Sequence, residues 1–229
     1  LWASAAVLGA ISVTHLSFGR TGVLVLIAGV FCWLPTCFSG RKLLAAFSVT
    51  AAVFAVGILS STAMIARIDK AKNEAAAHEE NKTSSIGHRI YNLKTTVRLI
   101  ADAPIIGHGT AAYHSKICEY LDDPAQCGIY ARHPHNQFLL LGAEHGLLGM
   151  ILYAALLVAM FIAAKKSGNS EARGLLFALT AILLVDSLIN SPFFSSRESQ
   201  FFSYMIALML ALNLGHQDWR DATNAMRTD

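Results

Sequence analysis

Long apolar runs separated by short polar segments dominate the hydrophobic pattern of this chain. The first three lie at about residues 1–13, 21–38 and 43–66. A helix needs about 20 consecutive apolar residues to cross a bilayer. The pattern therefore predicts membrane helices, and the first run is short enough to indicate a helix truncated at its start.

A polar block at residues 67–145 separates these runs from three more, at 146–164, 174–190 and 201–214. This arrangement predicts an all-α, polytopic transmembrane protein with about six helices in this portion and a large loop that contains amphipathic helices. The predicted divisions are transmembrane helices over 1–66, a loop domain carrying the active site over 67–145, transmembrane helices over 146–214 and a cytoplasmic tail over 215–229.

One clear helical pattern stands inside the loop. Its apolar residues recur at helical spacing, at Ile90, Leu93, Val97 and Ile100. Pro104 follows and would stop the helix, because proline lacks the amide hydrogen that a helix interior requires. We therefore expect an amphipathic helix that lies on the membrane surface.

Composition supports the membrane class and excludes others. Hydrophobic residues make up 54% of the 229 positions and charged residues 14%, with a mean hydropathy of +0.47. Such a chain is too apolar for an ordinary soluble domain. The net charge of +3 is small, and no basic patch interleaved with aromatic residues is present. A nucleic-acid partner is therefore not expected.

Short basic segments give the predicted orientation. Loops rich in lysine and arginine mark the cytoplasmic side of a membrane protein. The pairs Arg41-Lys42 and Lys165-Lys166 lie an even number of crossings apart, so both can be cytoplasmic. The large loop, Arg20 and Arg197 then lie on the opposite, exported face.

The cysteines fit an exported loop. Cys118 and Cys127 are close enough in sequence to close a small ring, and disulfides persist in exported segments. We expect a possible disulfide between them. Cys32 and Cys37, in or at the end of an apolar run, are typical of inert small hydrophobic residues.

Most of the nine histidines also fall in the loop. Their spacings match neither the His-Glu-x-x-His motif nor a zinc-finger pattern. The prediction is a site without metal and without cofactor.

His135 is the strongest candidate for chemistry. It stands about ten residues ahead of an apolar run, or about 15 Å along a helix, which puts it near a membrane surface. Imidazole exchanges protons near neutral pH, so a general base is one interpretation. The other is that the segment His133-Pro134-His135-Asn136 only caps a helix, with Asn136 as the N-cap. In the first case His133 could orient His135.

Arginines are the candidates for an anionic partner. Arg20 begins an apolar helix, where a charge costs about 2.5–3.5 kcal/mol and needs a partner or a function. Its planar fork of donors matches phosphate oxygens. Arg89 and Arg98 point to different sides of the loop helix, so at most one of them faces a site. Arg197, in the short loop 193–200, is a third candidate or an interfacial anchor.

Three segments together resemble a known family. Residues 17–29 (SFGRTGVLVLIAG), 88–109 (HRIYNLKTTVRLIADAPIIGHG) and 135–149 (HNQFLLLGAEHGLLG) are similar to the O-antigen ligases and their polymerase relatives. The resemblance implies that Arg20 and Arg89 are the essential arginines and bind a diphosphate, and that His135 is the essential histidine. It also implies that this chain is the C-terminal portion of such a protein, because members carry several more helices ahead of this point.

The resemblance further implies an activity. It is that of a metal-independent, inverting glycosyltransferase that transfers O-antigen from undecaprenyl diphosphate to a sugar hydroxyl of lipid A–core, completing lipopolysaccharide. The expected location is the bacterial inner membrane, among membrane lipids, with the site on the periplasmic face. Two alternatives share the donor, namely a surface-polysaccharide polymerase and a protein-glycosylating ligase. A lipid-linked glycan transporter is disfavoured, because Asp186 alone is charged in mid-span.

Overall fold

The computed structural model describes residues 20–77 and 84–225, with the backbone alone described at Arg20, Ala63 and 214–225. These ranges contain helices and turns and no strand, which confirms the all-α prediction. The helices are α1 (Arg20–Cys37), α2 (Gly40–Ser60), α3 (Thr62–Ala76), α4 (Ser85–Asp102), α5 (Tyr113–Lys116), α6 (Cys127–Tyr130), α7 (Gln137–Lys166), α8 (Ser170–Ile189) and α9 (Ser196–Ala225). Short 3-10 turns occupy Ile117–Tyr120 and Pro124–Gln126.

Helices α2, α7 and α8 are long and apolar enough to cross a membrane, and α1 is apolar but shorter. The fold class of a polytopic helical membrane protein is thereby confirmed. The predicted helix at 1–13 lies outside the described residues, so the number of about six membrane helices stays a prediction.

The main apolar core joins α7, α8 and α9. One buried cluster draws on all three helices: Tyr153, Leu157, Met160, Ala164, Leu176, Leu179, Leu183, Phe202, Ile206 and Met209. The hydroxyl groups of Tyr153 and Ser187 lie 2.6 Å apart and add a buried polar link between α7 and α8.

Helix α1 packs closely and antiparallel against α8. A Cβ atom at Gly29 would lie 2.9 Å from Ile182, and one at Gly174 would lie 2.6 Å from Trp33, so glycine lets the backbones approach. Because Gly29 meets Ile182 while the later Trp33 meets the earlier Gly174, the two helices run in opposite directions, and the first residue of α1, Arg20, lies toward the end of the bundle where α8 terminates. Lys165 and Arg173 lie at the opposite end, beside the last turn of α1.

The third predicted run is interrupted. Helix α2 ends at Ser60, and Ser61 is extended, with its side chain accepting a hydrogen bond from the amide of Met64 at 3.3 Å. Serine caps a new helix well because its hydroxyl satisfies an otherwise unpaired amide. The chain therefore starts α3 here, where the hydrophobic pattern alone predicts one continuous helix to residue 66.

Helix α7 begins nine residues before the predicted run at 146, and it kinks at Gly146, where φ is 63° and ψ is −156°. The turn at residues 104–109 docks into this kink. Leu147 and Leu148 donate amide hydrogen bonds to the carbonyls of Pro104 and Ile105, at 2.7 and 3.3 Å. In return the turn's amides at 108 and 109 donate to the carbonyls at 143 and 144, at 3.0 and 2.8 Å. We call these four reciprocal bonds the clasp.

Two glycines make the clasp possible. A Cβ atom at Gly146 would lie closer than 3.0 Å to the backbone of Ile105 and Ile106, and one at Gly107 would overlap the backbone of Glu144. Both glycines have positive φ, at 63° and 68°. The backbone groups that the kink releases from α7 are therefore satisfied by the turn, which fixes the loop domain to the membrane helix.

The loop domain has its own small core. It is built from α4, the short helices and the start of α7, with buried Leu99, Tyr113, Ile117, Ala131, Leu140 and Ala143. Cys118 and Cys127 form a disulfide at its edge, with Cα atoms 5.1 Å apart.

Helix α4 has its polar side turned inward. Its buried residues include Asn92, Thr95 and Thr96, whereas Leu93 and Val97 are each 49% exposed. The predicted amphipathic helix is therefore present. Of its predicted apolar stripe, Leu93 and Val97 are exposed, whereas Ile100 packs against the core of the loop domain. At the other end of the chain, the backbone of α9 continues through the predicted start of the tail at residue 215.

Candidate functional site

The segment before α7 is held in a defined shape. Asn136 is the N-cap of α7, since its side-chain oxygen accepts the amide hydrogen of Leu139 at 2.9 Å. Its side-chain nitrogen donates to the carbonyl of Leu188 in α8 at 3.1 Å. Asn136 thus acts as a cap, as one of the two interpretations of this segment predicts, and it also ties the segment to the end of α8.

His135 adopts an uncommon backbone conformation, with φ of 54°. Residues other than glycine enter this left-handed region at a cost of about 1–2 kcal/mol, although histidine does so more readily than most. Pro134, which precedes it, is fully buried. The fold therefore imposes a strained conformation that turns His135 toward its neighbours.

Three imidazole rings meet at this point, and we call them the histidine cluster: His88, His133 and His135. The ring centroids of His133 and His135 are 4.2 Å apart, and those of His88 and His135 are 5.5 Å apart. His88 comes from α4 in the loop domain, and the other two come from the segment before α7. The cluster therefore forms where the loop domain meets the membrane helix.

Aromatic residues enclose the cluster. The buried ring of Tyr130 packs edge-on against the ring of His88, with centroids 4.6 Å apart, and at a tilt against the ring of Tyr91, with centroids 4.8 Å apart. On another side, Phe194 from the loop between α8 and α9 lies 4.8 Å from His133. That loop is held by Gln137, whose buried side chain accepts the amide hydrogen of Phe193 at 3.0 Å.

The environment keeps the cluster uncharged. Burial, followed by the charges of its neighbours His133 and Arg89, lowers the pKa of His135 to about 3. Burial and the charge of Arg132 lower the pKa of His133 to about 4. Burial and Arg89 also lower the pKa of His88. All three imidazoles are therefore neutral at pH 7, the form in which a histidine can accept a proton.

Arg89 is the arginine that the structure brings to the cluster. It is half-buried on α4, directly after His88, and its positive charge opposes protonation of all three imidazoles. Lys94 and Arg98 are exposed on the same helix, and Arg98 lies 4.0 Å from Asp122. The expectation that at most one of Arg89 and Arg98 faces the site agrees with this arrangement.

The remaining predicted arginines, Arg20 and Arg197, each lie at the start of a helix. Arg20 is the first residue of α1, at the end of the bundle where α8 terminates, and its side chain lies outside the described residues. Arg197 is exposed in the first turn of α9, three positions after Phe194.

Three imidazoles in one place raise the question of a metal. Among the described residues, no group of three or more His, Cys, Asp and Glu side chains is arranged to hold a metal ion. In the cluster, Nδ1 of His133 and Nε2 of His88 already accept hydrogen bonds from protein groups.

Sequence reasoning missed His88, Asn92 and Phe194. The spacing of four residues between His88 and Asn92, which places both on one helical face, was an available signal. No local signal points to Phe194, because its contact with His133 depends on how the α8–α9 loop folds back.

The fold and the site define a polytopic helical membrane protein with a neutral histidine cluster and an arginine at the junction of a loop domain and a membrane helix. The sequence profile of the family described as O-antigen ligase matches residues 5–154. This chain belongs to the O-antigen ligase family. Comparison with curated proteins gives no match.

Membership gives the chain a ligase- or polymerase-like role in surface polysaccharide synthesis, as a glycosyltransferase-like enzyme. Its partners are, in general terms, a lipid-linked polysaccharide and a lipid acceptor. The matched range includes Arg20, Arg89 and His135.

Proposed function

We propose that this chain carries the active site of a metal-independent, inverting glycosyltransferase that ligates O-antigen from undecaprenyl diphosphate to a sugar hydroxyl of lipid A–core. The observation that carries the proposal is the meeting of a neutral His135 and a cationic Arg89 in one half-buried cluster. A neutral base beside a fixed positive charge suits a reaction that removes a proton from one substrate and releases an anion from the other.

His135 is the proposed general base. It takes the proton of the acceptor hydroxyl while that oxygen attacks the anomeric carbon of the donor from the face opposite the diphosphate. The bond between the anomeric carbon and the phosphate oxygen breaks, and its electron pair leaves with undecaprenyl diphosphate. One glycosidic bond forms with inversion of configuration at the anomeric carbon, and the step requires no metal or cofactor. General base action of this kind contributes roughly 10²–10⁴-fold.

Arg89 is proposed to bind the diphosphate and to stabilise the charge that grows on it. The same contact strengthens the base. Arg89 lowers the pKa of His135 in the free protein, so a diphosphate bound at Arg89 opposes that effect and raises the pKa of His135. The donor therefore prepares the base that activates the acceptor.

Arg20 is proposed as the second diphosphate ligand. Its place at the start of α1 supports this role, because α1 begins at the same end of the bundle as the cap of α7 and the end of α8. Arg197, beside the loop that carries Phe194, is proposed to contact the phosphate or the core sugars. His133 orients His135 through the short distance between their rings.

The proposed setting is the bacterial inner membrane, with the loop domain over 67–145 on the periplasmic face, transmembrane helices over 1–66 and 146–214, and a cytoplasmic tail over 215–229. Two features support it. The basic residues Lys165 and Arg173 lie at the bundle end opposite the cluster, as expected of a cytoplasmic end. The exposed Leu93 and Val97 on α4 also fit a helix that rests on a membrane surface.

The test of the diphosphate site is Arg89→Lys, which keeps the charge and loses the planar fork. We expect transfer from undecaprenyl diphosphate–linked glycan to lipid A–core by the intact protein to fall on the order of 10²-fold. Arg98→Lys is the matched control, since Arg98 is exposed on the same helix. Equal activity of the two variants would remove Arg89 from the site.

The acceptor is tested in the same assay by supplying either lipid A–core or a second lipid-linked glycan. The proposal predicts product on lipid A–core. Product that forms only on the second glycan would make the protein a polymerase, with the same donor and base.

A further inference from the structure

Asn92 is a buried polar residue next to the histidine cluster that the proposed mechanism does not use. It lies on α4, one turn after His88, and its side chain is 0% exposed. Its amide nitrogen lies 3.2 Å from Nε2 of His88 and 3.3 Å from the carbonyl oxygen of His133. A single side chain thus contacts both halves of the cluster, one from the loop helix and one from the segment before α7.

The contact with His133 fixes which way the amide points. A backbone carbonyl only accepts hydrogen bonds, so the amide atom that faces it is the nitrogen. An amide nitrogen only donates, so Nε2 of His88 is the acceptor in the second contact. A neutral imidazole with an unprotonated Nε2 carries its hydrogen on Nδ1. The two hydrogens of the Asn92 amide therefore serve one partner each.

His133 is fixed in a comparable way. The backbone amide of His135 donates to Nδ1 of His133 at 3.3 Å, so His133 carries its hydrogen on Nε2. No hydrogen bond from a described side chain reaches the ring of His135. Two members of the cluster are thus held by hydrogen bonds, and the third is open to a substrate hydroxyl.

Stability alone does not account for Asn92. Its side-chain oxygen is buried and has no hydrogen-bond partner among the described residues. A buried acceptor left unsatisfied costs about 1–3 kcal/mol, which offsets much of what the two hydrogen bonds of its nitrogen contribute at about 0.5–1.5 kcal/mol each.

We propose that Asn92 is a positioning residue: its amide holds His88 in the tautomer protonated on Nδ1 and ties α4, with Arg89, to the segment that carries His133 and His135. The proposal rests on the proposed function for what this positioning serves. With Asn92 in place, the arginine that binds the donor and the histidine that activates the acceptor are held at a fixed separation.

The hydrogen bonds can be tested without any activity. The measurement is ¹⁵N NMR of histidine-labelled intact protein in lipid nanodiscs, with the His88 signals assigned through their loss in His88→Gln. We expect wild-type His88 to be unprotonated at Nε2. In Asn92→Leu this preference should be lost, and in Asn92→Asp the Nε2 atom should gain a proton, because a carboxylate only accepts.

Thr95→Val is the matched control for burial on the same helix. Thr95 is equally buried, and its hydroxyl bonds only the carbonyl of Tyr91, so the His88 signals should not change. A wild-type His88 protonated at Nε2, or His88 signals that are the same in Asn92→Asp and wild type, would overturn the proposal. Asn92→Asp is nearly isosteric, so it serves even if Asn92→Leu fails to fold.

A second readout separates positioning from simple destabilisation. In glycan transfer per mole of folded protein, Asn92→Asp and Asn92→Leu should lose on the order of 10²-fold in kcat, with little change in donor binding. Thr95→Val should keep wild-type kcat. Unchanged kcat in both Asn92 variants would overturn the positioning role. A wild-type protein that transfers no glycan would count against the proposed function instead, and the tautomer measurement would still decide whether Asn92 holds His88.

Discussion

Replacing Gly146 with alanine should open the clasp that joins the loop domain to α7. Gly146 has φ of 63° and ψ of −156°, a combination that is open essentially to glycine alone and costs other residues about 1–3 kcal/mol. The new Cβ atom would also overlap the backbone of Ile105 and Ile106. Backbone atoms cannot rotate away as a side chain can, so the turn at 104–109 must move.

The movement would weaken the four hydrogen bonds of the clasp, each with a net value of about 0.5–1.5 kcal/mol. If two of the four are lost, the total destabilisation is about 2–6 kcal/mol. For a chain of this size the lower figure corresponds to a fall in melting temperature of at least about 4 °C.

Thermal unfolding of the purified intact protein in detergent measures the effect. Gly57→Ala is the control, because Gly57 lies within α2 and a Cβ atom there meets nothing within 4 Å. Alanine favours a helix by about 1 kcal/mol relative to glycine, so this variant should melt at or slightly above the wild-type temperature. If Gly146→Ala has the same melting temperature as Gly57→Ala, the clasp does not hold the loop domain in place.

Three further predictions follow from charge, covalent structure and topology. Arg89→Gln should raise the pKa of His135 above its value of about 3, because Arg89 lowers it, and an NMR titration of the histidines checks the direction. Replacing both cysteines of the Cys118–Cys127 disulfide with serine should lower the free energy of unfolding by about 2–3 kcal/mol, because the unfolded chain loses a small closed ring. The melting temperature of this variant should no longer depend on reductant. The topology is tested by introducing a single cysteine at an exposed position of a protein whose other cysteines are replaced. In outer-membrane-permeabilised cells, Ser85→Cys should react with an impermeant thiol reagent and Ser170→Cys should not. Labelling of both positions, or only of the second, would contradict the proposed orientation.

The apolar runs predicted α2, α7 and α8, the three described helices that are long and apolar enough to cross a membrane, because burial in lipid requires long apolar segments whatever the tertiary fold. Their ends were harder to predict. The break at Ser61 depends on one hydroxyl, and the early start of α7 depends on the cap at Asn136. Such short polar interactions are hidden within a pattern that is set by hydrophobicity.

The candidate site was predictable in part. His135 stood out because it lies near the predicted membrane surface, ahead of a long apolar run, and because imidazole exchanges protons near neutral pH, and Arg89 followed from the resemblance to the ligases. The spacing of His88 and Asn92 could have placed both on one face of α4, but no local pattern predicts that Asn92 also reaches the carbonyl of His133. That contact depends on how α4 is docked against α7, which is a tertiary property.

The role of Gly146 shows the same limit. Two glycines three residues apart are compatible with an ordinary membrane helix, and the apolar pattern predicted a helix that starts at this point. The structure instead has a kink there, because the turn at 104–109 supplies partners for the released backbone groups. Those partners lie about 40 residues earlier in the chain, beyond the reach of any local pattern.

The central claim is that His135 is the general base, and one variant tests it with little strain. His135→Asn removes the base, and asparagine tolerates the left-handed backbone that this position has at φ of 54°. His114→Asn is the matched control, since the ring of His114 bonds the carbonyl of Ala131 at 3.0 Å and lies outside the cluster. The measurement is glycan transfer per mole of folded, intact protein, alongside binding of the undecaprenyl diphosphate–linked donor.

The account predicts that His135→Asn loses roughly 10²–10⁴-fold in transfer while its donor affinity stays near wild type, and that His114→Asn keeps both. Transfer by His135→Asn within a few-fold of wild type would contradict the account, and so would a loss of donor binding as large as the loss of rate.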